Sequence, residues 1–185
     1  MKRKFFLIVA LVLAVVVSGG IFAYTYTTTS ITGAAVTAAG ADLATCNKTV
    51  SQPDWDSILD DLESDNITRG EVPTGDLFEV TLHPDYSGDL AVKVHLSNTR
   101  NLTKAYQYLN VKLYLEGSTE AGETPNYRLL TLETGLATFS LEGGGSDNRT
   151  LSVTGGGYGL NSRQPLEWEE GWTVTPELYC EITQR

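Results

Sequence analysis

The sequence predicts an all-β protein, an antiparallel β-sandwich with one short surface helix, set behind an apolar N-terminal helical segment. Three observations carry this. From Leu77 onward, apolar and polar residues alternate with a period of two in one short run after another. The runs are rich in Val, Leu, Thr and Tyr, which suit a pleated, half-buried surface. Between them lie Gly117-Ser118, Gly143-Gly144-Gly145 and Gly155-Gly156-Gly157, which read as turns. Many short strands with glycine-rich turns are the signature of a sandwich.

The chain opens with the basic cluster Met1-Lys2-Arg3-Lys4, followed by an apolar run from Phe5 to Val17 and the small residues Ser18-Gly19-Gly20. That is the order of a secretory signal, with Ala23 and Tyr24 flanking the expected cleavage point. The other reading retains the segment as a membrane anchor. Phe5 to Ala23 are nineteen uncharged residues, close to the roughly 20 that a helix needs to span a bilayer. Cys46 lies too far along to be a lipid-anchoring cysteine. The expected organisation is therefore a signal peptide or anchor over 1–23, an extended Thr/Ala-rich arm over 24–40 and a sandwich over 41–185.

The formal charge is −10, and loss of Lys2, Arg3 and Lys4 would move it to −13. Such a surface disfavours nucleic acid and anionic lipid as partners, so membrane contact is expected only through the N-terminal segment. Two cysteines, Cys46 and Cys180, in an oxidising compartment point to one disulfide joining the start of the sandwich to its last strand. The alternative is two separate buried thiols. Four Asn-x-Thr triplets begin at Asn47, Asn66, Asn101 and Asn148 and are candidate glycosylation sites on surface loops.

The arm Tyr24 to Ala39 carries no charge and begins with the alternation Tyr24-Thr25-Tyr26-Thr27. It reads either as the domain's own first strand or as a strand donated to another copy, since self-pairing and strand addition look alike in sequence. Ala41 to Thr45 reads as the next strand. Trp55, Ile58, Leu59 and Leu62 then follow helical spacing within Ser51 to Asp65, with Ser51 or Asp54 as cap. Predicted strands follow at Leu77–Leu82, Asp89–Leu96, Tyr106–Glu116, Tyr127–Thr134, Ala137–Glu142, Arg149–Thr154, Trp172–Thr175 and Leu178–Thr183.

No catalytic constellation is legible. His83 precedes a proline in a turn, and His95 lies on the polar face of a strand; both read as plain solvated residues. The carboxylates Asp54, Asp56, Asp60, Asp61, Glu63 and Asp65 read as a solvated helix face, because Ile58 and Leu59 interrupt the alternate ligand spacing of a calcium loop. The expectation is a protein that is not an enzyme and needs no cofactor or metal. Trp168 and Trp172, in Glu167-Trp168-Glu169-Glu170-Gly171-Trp172, are a candidate surface for stacking on glycan or protein.

Gly19-Gly20-Ile21-Phe22-Ala23-Tyr24, the uncharged Thr-rich stretch after it, Gly40-Ala41-Asp42-Leu43, and Ser87-Gly88-Asp89 through Asn98 resemble the camelysin-type biofilm-matrix fibre proteins. Gly40-Ala41-Asp42 departs from that family's usual Gly-Thr/Ser-Leu, and no metal motif accompanies the peptidase label attached to part of it. The resemblance implies a jelly-roll-like exported sandwich that builds fibres by donating an N-terminal strand. The expected function is a non-enzymatic cell-surface structural protein, a fibre or matrix subunit self-associating through residues 24–39. The alternative is a secreted or membrane-anchored binding module for glycan or protein.

Overall fold

Leu90–Leu96 shows how this sequence becomes sheet. Leu90, Val92, Val94 and Leu96 are buried, while Ala91, Lys93 and His95 between them are half-buried. A strand turns successive side chains to opposite faces, so the alternation puts one row in a core and the other toward solvent. The computed structural model describes residues 27–30, 43–65, 67–119, 127–143, 147–161 and 173–185. Within them the strands are β1 (Thr27–Ser30), β2 (Ala44–Lys48), β3 (Arg69–Glu71), β4 (Gly75–Leu82), β5 (Leu90–Leu96), β6 (Tyr106–Leu115), β7 (Tyr127–Thr131), β8 (Leu136–Leu141), β9 (Asn148–Leu160) and β10 (Leu178–Gln184). Two helices, α1 (Ser57–Asp65) and α2 (Thr99–Ala105), complete the described elements.

The strands form two antiparallel sheets. Sheet A has the order β1-β10-β5-β8; sheet B has the order β2-β4-β9-β6-β7, with β3 also pairing β9. Their inner faces share one core. Val92, Val94, Phe139, Leu178 and Ile182 come from sheet A; Phe78, Val80, Leu109, Val111, Leu113 and Leu151 come from sheet B. Full burial of each such side chain contributes about 1.5–3 kcal/mol. This is the predicted β-sandwich.

The helix predicted over Ser51–Asp65 is shorter than expected. Pro53 and the turn at Trp55 precede it, and regular helix begins at Ser57. Trp55, Ile58 and Leu62 are buried and Leu59 packs against the core, as the spacing required. The expectation of a single helix is corrected by α2, whose seven residues carry only Leu102 and Ala105 as buried positions. So short an element shows no period. The strand predicted at Ala41–Thr45 is shifted: β2 runs through Cys46 to Lys48. Trp172 lies outside the described residues, and 173–175 are not strand. There Thr175 serves as an acceptor for a buried side chain instead.

That side chain is Asn98, which is 7 % exposed. Its Nδ2 donates to the Thr175 carbonyl at 3.0 Å, and its Oδ1 accepts from the Glu177 N–H at 2.9 Å. The carbonyl of Asn98 also starts α2 by accepting from Asn101 and Leu102. One amide thus ties the end of β5 to the approach to β10. Asn98→Ala leaves a half-buried donor on Glu177 and a half-buried acceptor on Thr175 without this partner. The expected cost is about 2 kcal/mol, a fall in Tm of roughly 4–8 °C, measurable by thermal unfolding.

The largest correction concerns Gly155-Gly156-Gly157. They are not a turn but the middle of β9, a thirteen-residue strand. β9 pairs β6 on one side and β3 and β4 on the other. The β6–β9 register shifts where Lys112 pairs Gly155 but Leu113 pairs Val153, so Thr154 is the extra residue of a bulge. Gly155 and Gly156 have φ of 142° and 131°, values open to glycine and rarely to other residues.

Candidate functional site

Two features converge on β10. The first is the sheet edge. β1 pairs β10 with Thr27 opposite Ile182, Thr28 opposite Glu181, Thr29 opposite Cys180 and Ser30 opposite Tyr179. Within this one chain, residues 27–30 of the arm pair with its own β10. The ladder is short. β5 pairs β10 at all seven positions from Leu178 to Gln184, whereas β1 covers only 179–182. Four residues make few backbone hydrogen bonds, so β1 is the weakest-held member of sheet A.

The opposite edge of sheet A is partly covered. β8 is uncharged, from Leu136 to Leu141, and a bare uncharged edge invites pairing with other chains. Here two of its carbonyls are occupied. Arg128 Nε donates to the Thr138 carbonyl at 3.2 Å, and the Thr119 N–H donates to the Ser140 carbonyl at 2.9 Å. Both caps come from outside sheet A, one from β7 and one from the loop after β6.

The second feature is the cysteine pair. Cys46 on β2 and Cys180 on β10 are 4 % and 0 % exposed. They belong to different sheets, and their side chains meet across the sandwich in a hydrogen bond. No disulfide joins them in this structure. The predicted proximity is therefore present and the covalent bond is not. The hydrogen bond to Cys46, together with complete burial, holds the Cys180 thiol well above its ordinary pKa. As a thiol rather than a thiolate, it is a poor nucleophile in the folded state.

On the outer face of sheet A, β5 and β10 bring Lys93, His95, Tyr179 and Glu181 together. His95 Nε2 lies 2.8 Å from Glu181 Oε2, and Lys93 Nζ lies 3.6 Å from Glu181 Oε1. The His95 ring stacks on Tyr179 with centroids 4.4 Å apart and planes 3° from parallel. The expectation of a plain solvated His95 is thus corrected. Its strand face was legible, but its partners depend on a register between segments 86 residues apart. No group of three or more His, Cys, Asp or Glu able to hold a metal occurs among the described residues. His83 sits in its predicted turn, its Nδ1 accepting from the Asp85 N–H at 3.3 Å.

Three of the four glycosylation candidates fall on regular elements rather than loops. Asn47 is on β2, Asn101 in α2, and Asn148 opens β9. The Asn148 side chain is already engaged, donating to Glu79 and accepting from Thr81 Oγ1. Asn66, Trp168, Trp172, Ala23 and Tyr24 lie outside the described residues. Among the described residues no helix is long and apolar enough to cross a membrane. An open groove of about 430 Å³, lined by Thr103, Tyr106, Gln107, Leu132, Glu133 and Asn161, lies near the start of β6. Compared with known proteins, the chain matches no family model, and no curated protein matches it significantly.

Proposed function

We propose that this chain is an exported, non-enzymatic structural protein of the cell surface, a jelly-roll-like sandwich that assembles into a fibre or matrix by strand addition. The arm of one copy, within residues 24–39, takes the place of β1 beside β10 of the next. The observation that carries this reading is the β1–β10 ladder. It is a four-residue contact at a sheet edge, made by a segment that precedes the rest of the sandwich and stays uncharged. A neighbour's arm in the same register would reproduce the same backbone hydrogen bonds, so exchange costs little enthalpy and is governed by concentration and by the connecting segment. Because each copy has one arm and one slot, a head-to-tail exchange that does not close gives a filament. Within sheet A, the two carbonyls already engaged on β8 favour growth at the β10 edge over the β8 edge.

Electron microscopy of the secreted protein tests this. Filaments are expected from the full mature chain, and none from a variant lacking Tyr24 to Ala39. Monodisperse monomers under all conditions, unchanged by that deletion, would rule the reading out.

A further inference from the structure

We infer that Cys46 and Cys180 become a disulfide as the exported chain folds, and that this bond keeps β10 seated when β1 leaves it for a neighbouring copy. The second half rests on the strand-exchange reading above; the first does not.

The argument for the bond begins with placement. The two cysteines stand at opposite ends of the described fold, on β2 and β10, yet their side chains touch. Nothing in the backbone register brings them together, because β2 pairs only β4 and β10 pairs β1 and β5. Cys46 has Val80 as its ladder partner, and Cys180 has Thr29 on one side and Val94 on the other. The contact is made by the packing of one sheet on the other. A bond there would be the one covalent tie between the sheets apart from the chain itself.

Chemistry sets the order of events. The two thiols lose two protons and two electrons to a disulfide oxidant of the export compartment, which leaves as two thiols, and one S–S bond forms between Cys46 and Cys180. Attack requires a thiolate and access. In the folded sandwich both sulfurs are buried beyond reach of an oxidant. Oxidation therefore precedes closure of the sandwich, or waits for it to open.

The consequence follows from the position of β10. With β1 in place, β10 is an inner strand between β1 and β5. When β1 departs, β10 becomes an edge held laterally by β5 alone. Cys180 sits opposite the centre of the vacated ladder, at Thr29. A bond from that residue to β2 anchors the exposed strand to the other sheet, so the slot keeps its shape until another arm arrives.

The test uses protein secreted into an oxidising compartment. Intact mass without reductant is expected to be lighter by two hydrogens than after reduction, and alkylating reagent in denaturant should label no cysteine before reduction. Full labelling of both thiols would overturn the bond. Reduced, refolded protein given oxidised glutathione should re-form the bond far more slowly than the same protein in urea. Equal rates would overturn the order of events.

The coupling is then read by deleting residues 24–30 in two backgrounds, the parent and Cys46→Ala/Cys180→Ala. Expected is a modest fall in Tm in the disulfide-bonded parent. In the alanine background the deletion should lower Tm at least twice as much, or abolish cooperative unfolding. Equal falls in both would overturn the staple. Absence of filaments with this coupling intact would count against strand exchange and not against the bond.

Discussion

Gly156→Ala should be the most damaging single-methyl change in this protein. The position has φ of 131°, where an alanine is strained. A Cβ there would also fall within the contact radius of the Asn110 carbonyl oxygen on β6. That oxygen belongs to backbone in the centre of sheet B, and Asn110 is paired on both sides, to Gly157 and to Thr131. It cannot move without breaking a ladder. The Gly156 carbonyl meanwhile accepts from the Val72 N–H at 3.2 Å, so rotating the peptide away costs that bond too. Strain and overpacking together should cost about 3–5 kcal/mol, a loss of roughly 10–15 °C in Tm. Gly157→Ala is the internal comparison. Its added Cβ would lie 3.6 Å from the Gly70 carbonyl oxygen, ordinary contact, and its expected cost is about 1 kcal/mol or less. Urea unfolding followed by circular dichroism measures both. Equal midpoints for the two variants would show that Gly156 is not held against the Asn110 carbonyl in that conformation.

Those same glycines mark where the sequence stopped being legible. The strand Arg149–Thr154 was readable from Leu151 and Val153, both buried. Its continuation to Leu160 was not, because glycine has no side chain to alternate and its low strand propensity argues for a turn. What makes 155–157 a strand is the presence of β6 and β3 on either side, a tertiary cause. α2 was missed for a related reason. In Thr99–Ala105, Leu102 and Ala105 are the only buried side chains, too few for a helical period to declare itself. By contrast, β5 and the inner row Leu109, Val111, Leu113 and Leu115 of β6 could be read directly, since half-buried strands write their environment into every second residue.

The candidate site divides the same way. The cysteine count, read with the expected export signal, pointed at a Cys46–Cys180 pair, and the structure brings the two side chains into contact. No local pattern foretold the His95–Glu181 pair or the opposition of Thr28 to Glu181, because inter-strand register is set by the whole sheet and not by neighbours in sequence. The arm was recognisable as a strand former, but whether it pairs at home was a question of topology that composition leaves open.

Covalently closing that home pairing should abolish assembly. Thr28 and Glu181 are direct ladder partners, and opposed residues of an antiparallel pair have Cβ atoms about 4.5–5.5 Å apart, near what a disulfide needs. Thr28→Cys/Glu181→Cys would therefore link each arm to its own β10 on oxidation of the monomer. The substitution forfeits the contacts of Glu181 with His95 and Lys93. These are partly exposed pairs worth about 1 kcal/mol or less, so the sandwich should survive. In the unlocked protein a neighbour's arm competes with a tethered one, whose advantage is set by the length of chain that connects it to β2. Locking removes the open state altogether, and the slot never becomes available. Expected is loss of filaments to background by electron microscopy, with monomer on non-reducing gels. Oxidation after filaments have formed should instead give a ladder of covalent oligomers, because the same register then joins different copies. The single variant Thr28→Cys should assemble as the parent does. Filaments from locked monomer at the parent's yield would mean that assembly uses another surface, and that β1 is simply the first strand of its own sheet.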